Sequence, residues 1–222
     1  MKNIHMHDIK DFINNRYNYK YPQQNYFIDF ELGTAVDIAI KQYYLKLPEN
    51  YTVTKKTNQA LVLGMVEAYK EKYKDEMFHD FCVPLWKVPI DKVVVHCSPD
   101  LVTQTYHYNE RVIMELKTGP IGEALDFQTM CYCWASYRWD FVVPKYVVKR
   151  TIERPRIKLK KNETEQSFIE RLVLHDYSIK SDSVEVTKNM ILEFEKYLKC
   201  ILKEMESRNK YKFYKRSEDY WG

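Results

Sequence analysis

Apolar residues recur at helical spacing through the first third of the chain. Residues 7 to 20 place apolar and aromatic side chains at three- and four-residue steps, with Asp8 at the position of an N-cap. The same steps recur over about residues 28 to 45 and 57 to 74. We therefore predict that the chain opens with three helices.

After residue 74 the period changes to that of strands. Short β-branched or aromatic runs, separated by turn residues, predict a three-stranded antiparallel meander over residues 81–86, 93–97 and 112–116. Residues 122–139 carry apolar side chains on nearly every side, which predicts a buried helix packed against the sheet. Residues 141–149 predict a further strand, and Pro144 favours an edge position or a strand start.

The remainder of the chain is predicted to be helical, over residues 163–174 with Thr164 as cap and over 186–206. The order of helix, three strands, helix and strand predicts a mixed α/β (α+β) fold with extra helices at both ends. We find no internal repeat and no linker, so residues 1–222 are predicted to form a single domain. Its core would span about 28–150, and a C-terminal helical extension about 162–206.

Composition narrows the class of protein. With 45% hydrophobic and 30% charged residues, the chain is typical of folded globular proteins. The first ten residues are polar and no run approaches eighteen apolar residues, so we expect an intracellular, cytoplasmic protein that is neither secreted nor membrane-spanning. Five cysteines without a CxxC pair favour reduced thiols. No Gly-rich phosphate loop is present, so no ATP site is expected.

The net charge of +4 argues only weakly for a polyanionic partner, but its distribution is uneven. Residues 145–161 carry eight basic side chains against one acid. Two interpretations are equally open, a solvated strand and loop or a surface that follows a phosphate backbone. The residues that would contact nucleic acid in the second case are Lys145, Lys149, Arg150, Arg154, Arg156 and Lys158. The nineteen tyrosines are first explained by core packing, and base stacking is the less common use.

The run 111–119 is an apolar strand that carries a carboxylate and an amine. Side chains alternate along a strand, so Glu115 and Lys117 project together. Asp100 precedes a hairpin of fourteen intervening residues, a length that brings it level with Glu115. Two carboxylates at one strand end suit Mg²⁺ or Mn²⁺, with the Leu116 carbonyl and waters completing the shell. Glu-x-Lys alone is a weak signal, because paired charges on an exposed strand face are its usual explanation.

With Asp100 included, the pattern resembles the PD-(D/E)xK phosphodiesterase superfamily. Gln128 and Tyr132 reproduce the Gln-x-x-x-Tyr pair on the helix that follows the Glu-x-Lys strand. The segment from Gly33 to Asp37 resembles the upstream Gly-x-x-x-His helix motif of the RecB-like branch, which includes phage exonucleases and CRISPR adaptation nucleases. The resemblance covers roughly residues 7 to 150 and implies a restriction-endonuclease-like core.

The resemblance also implies roles for these residues. Asp100 and Glu115 would be metal ligands and Lys117 the catalytic lysine, while Gln128 and Tyr132 would hold the substrate strand or order the site. Asp37 stands where the family has histidine, which implies either a three-carboxylate site favouring Mg²⁺ or an ordinary helix-surface acid. Relatives with an iron–sulfur cluster carry four clamping cysteines, whereas Asn14 and Asn15 stand near the early position and the tail has none. No cluster is expected.

The leading hypothesis is a metal-dependent DNA nuclease, an exonuclease that acts on DNA ends or single strands. Two alternatives are a non-catalytic DNA-binding or assembly protein on a nuclease fold, and a sequence-specific endonuclease. The presence of Asp100, Glu115 and Lys117 argues against the first, and the Gln-x-x-x-Tyr pair argues against the second. The resemblance further suggests a role in recombination or repair, encoded by a phage or mobile element.

Overall fold

The computed structural model describes residues 2–18, 30–119 and 123–208, and within these ranges the chain forms six helices and eight strands. The helices are α1 (Met6–Asn18), α2 (Phe30–Leu45), α3 (Lys56–Lys72), α4 (Phe127–Asp140), α5 (Glu165–Val173) and α6 (Lys188–Arg208). The strands are β1 (Lys2–His5), β2 (Phe78–Cys82), β3 (Trp86–Ile90), β4 (Val93–Cys97), β5 (Leu101–Thr105), β6 (Arg111–Thr118), β7 (Tyr146–Ile152) and β8 (Ile179–Glu185).

The strands form two mixed sheets. The larger sheet has the order β2-β5-β6-β7-β8, in which β6 and β7 are parallel and all other neighbours are antiparallel. Because parallel neighbours need a crossover, α4 connects β6 to β7. The smaller sheet has the order β1-β4-β3, with β1 parallel and β3 antiparallel to β4.

The predicted mixed α/β class is confirmed, but the meander has different members. A three-stranded antiparallel unit lies between α3 and α4, and it consists of β2, β5 and β6. The run predicted as one strand over 81–86 divides at Pro84, which has no N–H to donate to a sheet. The strand predicted over 93–97 belongs to the smaller sheet, where it pairs with β3 and β1.

Three strands were not predicted at all, namely β1, β5 and β8. The helices predicted over 163–174 and 186–206 are present as α5 and α6, but the chain between them is not helical, because β8 pairs along its whole length with β7. Its sequence, Ile179 to Glu185, is mostly polar because five of its seven side chains are exposed at the sheet edge. An exposed edge strand carries little of the apolar alternation on which strand prediction depends.

Two boundaries also differ from prediction. The helix predicted from residue 122 begins at Phe127, because the Asp126 side chain accepts a hydrogen bond from the Thr129 N–H and closes a capping box. The strand predicted over 141–149 lies at Tyr146–Ile152 and is flanked by two strands. It is therefore not an edge strand, and Pro144 precedes it.

Two hydrophobic cores lie on opposite faces of the larger sheet. Helices α2, α3 and α5 cover one face, where Met114 and Leu116 point. Helices α1, α4 and α6, together with the smaller sheet, cover the face to which Ile113 points. Because side chains alternate along β6, Glu115 and Lys117 share the face of Ile113. The charged pair therefore lies on the α4 side of the sheet.

Some predictions fall outside the described residues. These are the end of the first helix at Tyr21–Pro22, the start of the second at about residue 28, and the polar and aromatic tail beyond residue 208. The single-domain prediction stays a prediction. No helix within the described ranges is long and apolar enough to cross a membrane.

Glu195 on α6 joins the two long helices of the second core. Its carboxylate accepts a hydrogen bond from the Trp134 indole at 2.9 Å and forms ion pairs with Arg138 of α4 and Lys199 of its own helix. Burial raises the pKa of Glu195, but the hydrogen bonds from Arg138, Lys199 and Trp134 outweigh it and lower the pKa to about 2. The charged form is thus favoured in the folded protein.

We predict that Glu195→Gln lowers the free energy of unfolding by about 2 kcal/mol at pH 7. A carboxylate with a depressed pKa stabilises the fold above its unfolded-state pKa, and the effect is lost as pH falls through the folded value. The difference between wild type and variant should therefore shrink between about pH 4.5 and pH 2. Urea unfolding at several pH values measures it.

Glu193→Gln is the matched control. Glu193 lies on the same helix, and its one ion-pair partner within the part of the chain that the structure describes is the exposed Lys196 at 2.7 Å. Its replacement should change the free energy of unfolding by less than about 0.5 kcal/mol at every pH. Equal effects of the two substitutions would contradict the assignment of Glu195.

Candidate active site

Asp100 is brought to the end of β6 by the β5–β6 hairpin. Leu101 lies opposite Met114 in the antiparallel register, so Asp100 reaches the level of Glu115. Its Oδ2 accepts a hydrogen bond from the Leu116 N–H at 2.8 Å. Leu116 thus contributes its N–H to the site, and the role predicted for its carbonyl stays a prediction. The fourteen residues between Asp100 and Glu115 bring the two side chains level, because they form β5, the turn and the paired part of β6.

Glu115 is the most deeply buried charged side chain of the site, with 1% of its surface exposed. Its Oε1 forms an ion pair with the half-exposed amine of Lys117, two residues along the same strand face. Burial and the nearby charge of Asp100 raise the pKa of Glu115, and Lys117 opposes this shift. The carboxylate therefore lies where additional positive charge would stabilise its ionised form.

Gln128, in the first turn of α4, links three groups of the site. Its amide nitrogen donates to Glu115 Oε1 at 2.7 Å and lies 2.8 Å from the Tyr132 hydroxyl. Its carbonyl oxygen accepts from Lys10 of α1 at 3.0 Å. Gln128 and Tyr132 share one face of α4 because they are four residues apart. The pair therefore orients the Glu115 carboxylate from the α4 side.

Asp37 reaches the site from α2, where its carboxylate meets an amine that sequence reasoning missed. Lys41, one turn further along the helix, places its Nζ 2.7 Å from Asp37 Oδ2 and 2.9 Å from Asp100 Oδ1. Burial and the charge of Asp100 raise the pKa of Asp37, although Lys41 lowers it. The i, i+4 spacing of Asp37 and Lys41 was the available signal, but it shows nothing of the contact to Asp100.

Gly33 lets α2 approach the end of β6. A Cβ at Gly33 would lie 2.8 Å from Thr118 Oγ1, closer than side chains tolerate. Gly33 and Asp37 are one turn apart on the same helix face, so this close approach carries Asp37 toward the carboxylates of the sheet. Steric overlap with Thr118 thus explains why a glycine stands at this position of the predicted helix motif.

The donor set can be compared with what a hard cation requires. Two buried carboxylate oxygens, Asp37 Oδ1 and Glu115 Oε2, have no hydrogen-bond partner among the described residues. Asp37 of α2, Asp100 just before β5 and Glu115 of β6 meet at this end of the sheet, where burial first and the charge of Asp100 second raise the pKa values of Asp37 and Glu115. Oxygen-only donors suit Mg²⁺ or Mn²⁺. The donor atoms present therefore suit such an ion in chemical type.

In the described conformation the amines occupy contacts that a metal ion would need. Lys41 lies between Asp37 and Asp100, and Lys117 is paired with Glu115. Within the described residues, no three His, Cys, Asp or Glu side chains are grouped closely enough to hold a metal ion as they stand. Binding of a metal at Asp37, Asp100 and Glu115 would require these lysines to move.

Two of the six predicted nucleic-acid contacts are buried, which corrects that prediction for Lys149 and Arg150. Lys149, 7% exposed, is held by the Glu123 carbonyl at 2.9 Å and Asp126 at 3.0 Å. Arg150 is 4% exposed and pairs with Glu76. Alternating side chains of a strand covered by helices on both faces are buried in both directions, so a basic run there cannot be a surface.

Both buried side chains have structural contacts that the sequence did not reveal. Lys149 holds Asp126, the N-cap of α4, and so supports the helix turn that carries Gln128. Arg150 donates to the hydroxyls of Tyr44 and Tyr69 at 2.7 and 2.8 Å, which ties α2 and α3 to β7.

The other four predicted contacts differ in exposure. Lys145 pairs with Glu185 of β8 at 2.7 Å and is partly exposed. Arg154, Arg156 and Lys158 are exposed on the segment that follows β7. β7 is parallel to β6, with Ile152 opposite Thr118. The segment after β7 therefore leaves the sheet at the same strand ends where the carboxylates lie.

No family model matches the chain, and a comparison with curated protein sequences found no match. Its structural neighbours include a phage-related exonuclease from Haemophilus somnus 129PT, with 13% sequence identity, a TM-score of 0.35, and coverage of 92% of this chain and 96% of that one. Another is LHK-Exo in complex with dAMP, with 13% identity, a TM-score of 0.36, and coverage of 97% and 93%. Similarities of this size do not establish a family or an activity.

We predict that Gly33→Ala lowers the free energy of unfolding by about 1 kcal/mol, because the new methyl group overlaps Thr118. In a Thr118→Ala background the overlap is removed, and the same change should be neutral or stabilising by up to about 1 kcal/mol, since alanine favours the helix. A double-mutant cycle by urea unfolding measures the change of sign. Equal effects in the two backgrounds would show that Thr118 does not limit the approach of α2.

Proposed function

We propose that this protein is a metal-dependent DNA nuclease that hydrolyses phosphodiester bonds with Mg²⁺ or Mn²⁺. The observation that carries the proposal is the convergence of Asp37, Asp100 and Glu115 with Lys117 at one end of β6. Carboxylates whose pKa values are raised by burial and by a neighbouring carboxylate mark a candidate functional site, and a bound metal ion there can activate water and polarise a phosphate. Structural cores rarely retain such a cluster, because charges without full compensation destabilise them.

Each residue of the site would have its own role in the hydrolysis. Asp100 is fixed by the Leu116 N–H, and Glu115 is fixed by Gln128, so both carboxylates are oriented before substrate binds. Lys117 is the most exposed charged group among them and can meet a phosphate oxygen or orient the attacking water. Lys10 and Tyr132 hold Gln128 in place.

A divalent cation bound at Asp100 and Glu115, with Asp37 as a third ligand, would neutralise the carboxylates and polarise the scissile phosphate. All three side chains offer oxygen, which favours Mg²⁺ or Mn²⁺ over softer metals. The proposal includes neither an iron–sulfur cluster nor ATP.

Backbone phosphates of the DNA would lie along the exposed part of the basic segment. Arg154, Arg156 and Lys158 are exposed and follow β7 at the edge that carries the carboxylates. Such contacts position a DNA strand without reading its sequence. We propose an exonuclease acting on DNA ends or single strands, because the Gln128 and Tyr132 pair resembles that of RecB-like exonucleases.

We predict that Glu115→Gln and Lys117→Ala each reduce Mg²⁺-dependent cleavage at least about a hundredfold, since each removes a charged group from the reacting centre. End-labelled linear DNA with Mg²⁺ reports activity and polarity together, and closed circular DNA separates exonuclease from endonuclease action. Lys87→Ala, which removes an exposed lysine from β3 in the other sheet, is the control and should retain full activity.

Full cleavage by Glu115→Gln or Lys117→Ala would refute the proposed site. If wild-type protein cleaves neither linear, nicked nor single-stranded DNA with either metal but binds DNA in a salt-sensitive manner, it is a non-catalytic binding protein. Cleavage of closed circular DNA at defined sequences would instead identify an endonuclease.

We also predict that the double variant Arg156→Gln/Lys158→Gln weakens DNA binding and lowers the salt dependence of the association constant. Each lost phosphate contact should reduce the slope of log K against log salt by about 0.7 to 0.9. Fluorescence anisotropy with labelled DNA at several salt concentrations measures this slope. Lys196→Gln/Lys203→Gln, which removes two exposed charges from α6, is the control for net charge and should leave the slope unchanged.

A further inference from the structure

Lys41 occupies an unusual position, because one amine bridges two carboxylates from different elements. Its Nζ lies 2.7 Å from Asp37 Oδ2 on its own helix and 2.9 Å from Asp100 Oδ1 at the start of β5. All three side chains are mostly shielded from solvent, with 21%, 30% and 18% of their surfaces exposed. An ion pair with this degree of burial is screened less by salt than a surface pair.

The oxygens that Lys41 contacts are among those a metal ion would use. Asp100 Oδ2 accepts a hydrogen bond from the Leu116 N–H. Asp100 Oδ1, which Lys41 contacts, is therefore the oxygen that is better placed to bind a metal ion. The other oxygen of Asp37 is buried and has no hydrogen-bond partner among the described residues. An ammonium group and a divalent cation that contact the same carboxylate oxygen repel each other strongly at low effective dielectric, so binding of one disfavours binding of the other.

We infer that Lys41 and a divalent cation compete for Asp37 and Asp100, so that Lys41 sets the metal affinity of the site. This inference rests on the proposed function, since it concerns the metal of that same site. The competitor and one ligand lie a single turn apart on α2, so Lys41 can leave Asp100 by side-chain rotation while Asp37 stays in place. The positive charge of the cation then replaces the positive charge of Lys41 beside Asp100.

Removal of the amine should therefore strengthen metal binding. We predict that Lys41→Met binds Mn²⁺ about tenfold more tightly than wild type, because no ion pair has to be broken when the metal enters. Titration of Mn²⁺ alone against the full-length protein, with free Mn²⁺ measured by electron paramagnetic resonance, gives the dissociation constants without any DNA or turnover. The increase in melting temperature caused by Mn²⁺ should also be larger for the variant.

Two controls separate competition from general electrostatics. Lys70→Met removes an amine that also bridges two carboxylates, Glu49 at 3.3 Å and Glu67 at 2.8 Å, but on the outer side of α3. Lys87→Met removes one exposed positive charge from β3 in the other sheet, where it contacts none of the three carboxylates. Each should change the Mn²⁺ dissociation constant by no more than about twofold. Lys41→Gln provides a polar replacement if the methionine variant does not fold.

An unchanged or weaker Mn²⁺ affinity in both Lys41 variants would overturn the inference, as would an equal gain in Lys87→Met. These results are independent of the cleavage assay. Magnesium-dependent cleavage that Glu115→Gln abolishes, together with unchanged Mn²⁺ affinity in Lys41→Met, refutes competition and leaves the nuclease intact. Tighter Mn²⁺ binding by Lys41→Met without any cleavage by wild type supports competition and refutes the nuclease.

Discussion

The buried carboxylate of Glu115 is the constraint on which the organisation of this protein depends. An ionised carboxylate with 1% of its surface exposed must be compensated, and no single neighbour does so alone. Lys117 supplies a charge and Gln128 a hydrogen bond to one oxygen, while the other oxygen has no hydrogen-bond partner among the described residues. The described contacts therefore leave one oxygen of this buried carboxylate uncompensated.

Helices from both faces of the larger sheet bring side chains to Glu115. On one face, α4 brings Gln128 and Tyr132 to Glu115, and its first turn is held by Asp126 and Lys149. From the other side, α2 brings Asp37 and Lys41, and Gly33 allows that helix to come close. The site thus forms where two separately packed helices reach the same strand end.

Basic side chains that are close in sequence are buried in one part of this protein and exposed in another, and the sequence alone does not distinguish the two. Lys149 and Arg150 are buried and tie helices to the sheet, whereas Arg156 and Lys158, only a few residues further on, are exposed. The boundary lies near Ile152, where β7 ends: the side chains from Val147 to Ile152 are buried, whereas Arg154, Arg156 and Lys158 are exposed. Lys41 belongs to neither group, since it is partly buried yet binds carboxylates that a metal ion could also bind.

Sequence periodicity and spacing determined the mixed α/β class, most helices and the alignment of Asp100 with Glu115, because these depend on local alternation and on the length of one hairpin. The pairing of strands, the edge strand β8 and the burial of Lys149 and Arg150 were decided only by tertiary structure, since a polar strand acquires its pairing from a distant neighbour. The bridge from Lys41 to Asp100 spans 59 residues, and it exists only because α2 packs against the end of β6.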